Sequence, residues 1–142
     1  MAMEKDAIKE IEQKLNWDNA DLSDKMKKAV CIALSILDRE IIDRVLKDVY
    51  FLSVDYNLAG LCLPLNDFRN RKVIIFLSEN MFEVYKKHPK FANHPIRSIL
   101  HEIGHFYFGH KTKDRIESKL KHKQELEADD FADKFFRRLK ID

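Results

Sequence analysis

The sequence predicts an α+β fold in which helices surround a small three-stranded antiparallel sheet. Apolar residues recur at helical spacing before residue 49 and after residue 95, whereas β-branched and aromatic residues cluster in three short runs between those regions. The chain has 142 residues with 45% apolar and 35% charged side chains, the composition of a folded domain with a buried core. Because it carries only three Gly and three Pro and no repeat, we predict one domain over residues 1–142.

The N-terminal part of this domain, residues 1–48, is predicted to be a helical scaffold. Its apolar side chains recur three and four positions apart, as they do along the buried face of a helix. They form three groups: Ala7, Ile8, Ile11 and Leu15; Met26, Val30, Ala33 and Leu37; and Ile41, Ile42, Val45 and Leu46. Cys31 and, further along, Cys62 lie in apolar runs and are interpreted as buried free thiols.

The predicted sheet spans residues 49–77. Asp and Asn residues in segments 55–57 and 66–70 favour turns and divide this region into three strands. The strands run from Val49 to Val54, from Ala59 to Leu65 and from Lys72 to Leu77. We predict that they form an antiparallel meander, packed against the helix that follows.

The charge balance gives no indication of a nucleic-acid or membrane partner. Lys plus Arg number 26 against 24 acidic residues, a formal net charge of +2. The basic stretch 111–123 is interrupted by Asp114 and Glu117 and has no stacking aromatic residue, so we interpret it as a solvated connection. The first residues are charged where a signal peptide needs an apolar stretch, and no apolar run approaches the roughly 20 residues of a membrane span. We therefore expect a cytoplasmic protein.

The functional residues are predicted to lie on helices between residues 95 and 139. The first of these helices starts at Asn93-His94-Pro95, with Pro95 at the first helical position, and Gly109 suits the position after its last turn. The apolar side chains around it indicate a buried central helix.

This helix contains the HExxH sequence His101-Glu102-Ile103-Gly104-His105. Histidines four positions apart stand on one helical face, so both imidazoles can bind one Zn²⁺ at about 2.0–2.1 Å. Glu102 borders the metal in this motif without ligating it and is the candidate general base. The alternative is a pair of core histidines that hold no metal.

A third protein ligand is expected after the motif. His110 does not fit the longer pattern HExxHxxGxxH, since Phe occupies position 108 and Lys position 111, and we interpret it as a helix-end or rim residue. Glu125 lies at the edge of an apolar helical stripe, whereas Glu127 falls beside basic residues. This predicts Glu125 as the ligand and Asp129, one turn on, as the acceptor for the other N–H of a ligand histidine. The alternative for these acidic residues is an ordinary solvated helix start.

Two blocks, HEIGHFYFGH at residues 101–110 and ELEADDFA at residues 125–132, together resemble the ImmA/IrrE family of zinc-peptidase-like domains. The resemblance covers about residues 49–136. It implies a helical zincin-like fold of the gluzincin type, with Glu125 as the third zinc ligand and Asp129 as its companion. It also implies cytoplasmic proteolysis of regulatory proteins, often repressors. Where many members carry an LLMP-like stretch, this sequence has KFFRRL at residues 134–139.

These observations predict a zinc metallopeptidase in which Glu102 deprotonates a water molecule that attacks a peptide bond. Candidates for stabilising the oxyanion or contacting the substrate are Tyr56, Tyr85, Tyr107 and His110, among which the sequence does not choose. The alternative is a non-catalytic, zinc-stabilised module of the same fold that binds a partner protein. The presence of Glu102 argues against it, because a purely structural zinc site needs no general base.

Overall fold

The computed structural model describes residues 9–13, 23–54, 60–68, 71–109 and 118–139. Residues 9–13 are helical, and two further helices precede the three strands, after which the described elements are all helical. In order they are α1 (Asp24–Ser35), α2 (Arg39–Asp48), β1 (Val49–Val54), β2 (Gly60–Phe68), β3 (Arg71–Ser78), α3 (Asn80–Lys87), a 3₁₀ turn (Phe91–Asn93), α4 (Pro95–Phe108) and α5 (Ser118–Phe136). The predicted α+β class is confirmed. Within the described ranges, no helix has the length and apolar character needed to cross a membrane.

The sheet has three strands, but the prediction that all of them are antiparallel is wrong. The strand order is β1-β3-β2. Strand β1 pairs with β3 in parallel, from Val49 opposite Val73 to Val54 opposite Ser78. Strand β2 pairs with β3 in antiparallel fashion, and its register shifts between Pro64 and Phe68. The sheet is therefore mixed, with β3 at its centre.

The physical reason for this order lies in the composition of the strands. Strand β3 contains an unbroken apolar run in which Ile75 and Leu77 are fully buried, as expected of a central strand. Strand β2 contains Pro64, which has no backbone N–H to donate, and proline is confined largely to edge strands and bulges. A meander would have placed β2 in the centre. The strand also continues to Phe68, through residues whose turn-like composition predicted a loop.

Helix α3 was not predicted from the sequence. It has eight residues, and Met81 is the one buried residue that it contributes to the core. A helix this short carries too few apolar repeats to show a clear period, and its stability comes from packing.

Helices α4 and α5 pack closely, and this packing positions the histidines of α4. At Gly104, a Cβ atom would lie 3.2 Å from the Cα of Ala128 and 3.2 Å from the Cβ of Phe131. Such a separation is tighter than ordinary van der Waals contact, so even the Cβ of alanine would require its neighbours on α5 to shift by a few tenths of an ångström. The small residues at 104 and 128 therefore let the backbones approach until side chains beside the crossing can meet.

Candidate metal centre

Local signals determine where helix α4 begins and ends. His94 is its N-cap, and the Nδ1 atom of His94 accepts a hydrogen bond from the backbone N–H of Ile96 at 3.2 Å. Pro95 occupies the first turn, where its missing N–H is not needed. Gly109 ends the helix with φ of 65°, a left-handed conformation that favours glycine. These bounds are the ones predicted from the sequence.

His94→Asn is expected to reduce the acid sensitivity of folding. Burial between the rings of Tyr85 and Phe136, at 4.8 and 4.9 Å, lowers the pKa of His94 below its ordinary 6.5. The unfolded chain therefore binds this proton more readily, so the free energy of unfolding falls as the pH drops below about 6.5 and levels off below the folded-state pKa. Asparagine caps the helix without titrating. Urea unfolding at pH 7.5 and 5.5 should show a smaller difference for the variant, while His88→Asn, at an exposed histidine, should behave as wild type.

The two histidines of the HExxH sequence face the same point. Their Nε2 atoms lie 3.2 Å apart, and their rings are nearly perpendicular at an interplanar angle of 86°. Both side chains are mostly buried. Two imidazole nitrogens held this close in a partly buried site need a shared proton or a cation between them.

Glu125 of helix α5 reaches both histidines. Its Oε2 atom lies 2.9 Å from Nε2 of His101, and its Oε1 atom lies 3.5 Å from Nε2 of His105. Ligands bound tetrahedrally at about 2.0–2.2 Å from a zinc ion are separated from one another by about 3.3 Å. The separations here, 3.2 Å between the two Nε2 atoms and 2.9 and 3.5 Å from each of them to one of the two Glu125 oxygens, are of that size.

Glu102 lies beside this group. Ligand atoms of His101, Glu102 and His105 all fall within 4.8 Å of one another, so its carboxylate borders the position that an ion would occupy. Glu125 is the better candidate for a third ligand, because each of its oxygens already lies within 3.5 Å of a histidine Nε2. This leaves Glu102 near the metal position and half-buried, as a general base requires.

Asp129 contacts the other side of the His101 ring. Its Oδ1 atom lies 2.8 Å from Nδ1 of His101. A carboxylate can only accept a hydrogen bond, so Nδ1 is the donor, and the lone pair of Nε2 is then free for a cation. Because Glu125 approaches that same Nε2, the contact requires either a proton between the two groups, on the ring or on the carboxyl group, or a metal ion. A metal satisfies all of these atoms at once.

The other predicted site residues lie elsewhere. Tyr85 packs against His94 at the start of α4, two turns before His101. Tyr107 follows His105 by two positions, which turns it about 200° around the helix, and its ring packs on Phe131. It lines a separate cavity of about 260 Å³, together with Asp38, Ile41, Phe108, Glu127, Asp130, Phe131, Lys134 and Phe135. Tyr56 and His110 lie outside the residues that the structure describes.

Glu127 lines that cavity, whereas Glu125 contacts the histidines, so substitutions of the two glutamates should differ in their effect on zinc affinity. We expect Glu125→Gln to weaken zinc binding strongly, whereas Glu127→Gln, the matched control on the same helix, should leave it nearly unchanged. Asp129→Asn should fall between them, since losing the partner of a ligand histidine typically costs about 10–100-fold in affinity. Competitive titration against a chromogenic chelator at one pH ranks the three variants. If Glu127→Gln proved the weakest binder, the assignment of Glu125 as the ligand would be wrong.

Two charged residues next to this site, Arg97 and Asp133, were not predicted from the sequence. Arg97 donates from Nε to Oδ1 of Asp133 at 2.8 Å, and its Nη2 atom lies 3.5 Å from Oδ1 of Asp129. Arg97 precedes His101 by four positions, and Asp133 follows Asp129 by four. The same helical spacing that marked the ligands was therefore the signal that could have identified both residues.

Comparison of the chain with protein-family models, with curated proteins and with solved structures finds no match. The function is therefore inferred from the geometry of the site.

Proposed function

We propose that the protein is a zinc-dependent metallopeptidase that hydrolyses peptide bonds in a regulatory protein of the cytoplasm, such as a transcriptional repressor. The observation that carries this proposal is the approach of the Glu125 carboxylate to both histidines of the HExxH sequence, within 3.5 Å of each Nε2. No membrane or nucleic acid is involved in this proposal.

The donor set fits zinc. His101, His105 and Glu125 would hold the ion, since two imidazole nitrogens and one carboxylate oxygen form a common catalytic zinc site with an open fourth position. Zinc, when bound there, lowers the pKa of a water molecule toward about 7 and polarises the scissile carbonyl. The side chains of Glu125 and Asp129 are 40% and 42% exposed, which supports a site that a substrate can reach over a closed structural one.

The residues around the ion would then have separate roles in the reaction. Glu102 accepts the proton of the attacking water on its carboxylate and passes it to the nitrogen of the departing amine. Asp129 holds the His101 ring through Nδ1 throughout the reaction. An extended substrate could pair with β2, because β2 is an edge strand and lies close to α4.

The proposal is tested by metal analysis of the purified protein together with mass spectrometry of a degenerate peptide library incubated with it. We expect about one zinc per chain and new peptide termini that disappear when a chelator is added and return with zinc. One zinc per chain without any cleavage, of the library or of purified repressors, would contradict the enzyme and favour the zinc-stabilised binding module.

A further inference from the structure

Three residues of α4 face three acidic residues of α5 along one line. Arg97, His101 and His105 recur every four positions on α4, and Asp133, Asp129 and Glu125 recur every four positions in the opposite direction on α5. Side-chain contacts connect them in sequence: Arg97 with Asp133 and Asp129, His101 with Asp129 and Glu125, and His105 with Glu125. The metal site is therefore one end of a longer series of charged contacts.

Arg97 itself is held firmly. Its side chain is 13% exposed, its Nε donates to Asp133 at 2.8 Å, and its guanidinium lies 5.5 Å from the centre of the Phe91 ring. The planar guanidinium presents several N–H donors in a fixed arrangement, so anchoring Nε to Asp133 also fixes the direction of Nη2. That atom faces Oδ1 of Asp129, the same oxygen that accepts from Nδ1 of His101.

We propose that Arg97 is a positioning residue of the metal site. It fixes the carboxylate of Asp129, and Asp129 in turn fixes the His101 ring with Nε2 directed at the ion. This inference rests on the proposed metal site but not on peptidase activity. If Arg97 acted only through its charge, its substitution would change zinc affinity in the opposite direction. A cation near the site repels Zn²⁺, so removing the charge would strengthen zinc binding.

Four variants separate orientation from charge and from folding. Arg97→Lys keeps the charge but loses the planar fork. Arg97→Met also removes the charge. Asp133→Asn weakens the anchor while leaving Arg97 in place. The matched control is Arg138→Lys, because Arg138 also donates to an aspartate, Asp38 at 2.8 Å, and stacks on the ring of Phe135, away from the metal site.

The first measurement is zinc affinity by competition with a chromogenic chelator. We expect Arg97→Lys and Arg97→Met each to weaken binding by about 10-fold, Asp133→Asn to weaken it less, and Arg138→Lys to leave it unchanged. Arg97→Lys combined with Asp129→Asn should bind zinc within about 2-fold of Asp129→Asn alone, because both substitutions break one chain of contacts. Additive losses, or tighter zinc binding by Arg97→Met, would overturn the proposal.

The second measurement uses metal-free protein and a proton NMR spectrum. We expect a hydrogen-bonded Nδ1–H signal of His101 in the wild type, and its loss by exchange with solvent in Arg97→Lys but not in Arg138→Lys. Melting temperatures of the metal-free variants identify any effect caused by unfolding. If the wild type bound no zinc, the proposed function and the metal-site role of Arg97 would both fail, while this signal would still decide whether Arg97 orients the His101 ring through Asp129. A signal that persists in folded Arg97→Lys would refute that role.

Discussion

Glu102→Gln is expected to bind zinc as tightly as the wild type and to cleave far more slowly every peptide bond that the wild type cleaves. The amide has nearly the same shape as the carboxylate but cannot take a proton from water, so the base is removed without disturbing His101 or His105. General-base catalysis contributes about 10²–10⁴-fold, and we expect a loss in kcat/KM of that size. Mass spectrometry of products over a time course measures it.

The zinc content of the same preparation distinguishes a general-base role of Glu102 from a ligand role. Because Glu102 lies within 4.8 Å of the histidine ligand atoms, a ligand role for it is the rival interpretation, and that role predicts a loss of zinc along with activity. Glu127→Gln is the matched control, since it makes the same chemical change on the surface of the separate cavity. Cleavage at the wild-type rate by Glu102→Gln would eliminate the proposed mechanism.

His101→Ala and His105→Ala are each expected to abolish stoichiometric zinc binding. Each substitution removes one of three protein ligands, so the loss in affinity should exceed the roughly 10–100-fold that an outer partner contributes. Inductively coupled plasma mass spectrometry of dialysed protein measures the content directly. The wild type should also gain about 2.7 kcal/mol in free energy of unfolding at a free zinc concentration 100 times the Kd, a gain that both variants lose.

His122→Ala provides the control for this experiment. His122 is an exposed histidine on the same helix as Glu125, so its removal tests whether zinc binds the surface of the protein nonspecifically. We expect full zinc occupancy in that variant. Undiminished zinc in both His101→Ala and His105→Ala would exclude the proposed site.

Much of the candidate site was predictable because its signals are local. The bounds of α4 follow from His94, Pro95 and Gly109, each of which acts through the backbone of its own turn. The shared face of His101 and His105 follows from helical periodicity. The apolar stripe of α5 similarly indicated which side of that helix is buried, and so placed Glu125 at its edge.

The order of the strands was only partly predictable from such signals, since the apolar run of β3 and Pro64 of β2 favour a central and an edge position without specifying which strands pair. Alternation and turn residues show where the strands are. Their pairing depends on which strand would leave the most apolar surface exposed if it lay at an edge of the sheet. That depends on burial by helices far along the chain. Strand β3 took the central position, and β2, which contains Pro64, took the edge.

By itself, the sequence determined the helix that carries the metal motif, its two ends, and the face on which its histidines stand, because each depends on contacts within a few residues. Only the tertiary structure decided that Glu125 reaches both histidines, that Tyr107 faces a different cavity, and that Arg97 and Asp133 extend the series of contacts. These contacts form across the α4–α5 crossing, where a Cβ atom on Gly104 would lie 3.2 Å from the Cα of Ala128. The separation and rotation of two packed helices are determined by side-chain volumes on both of them, which no local pattern records.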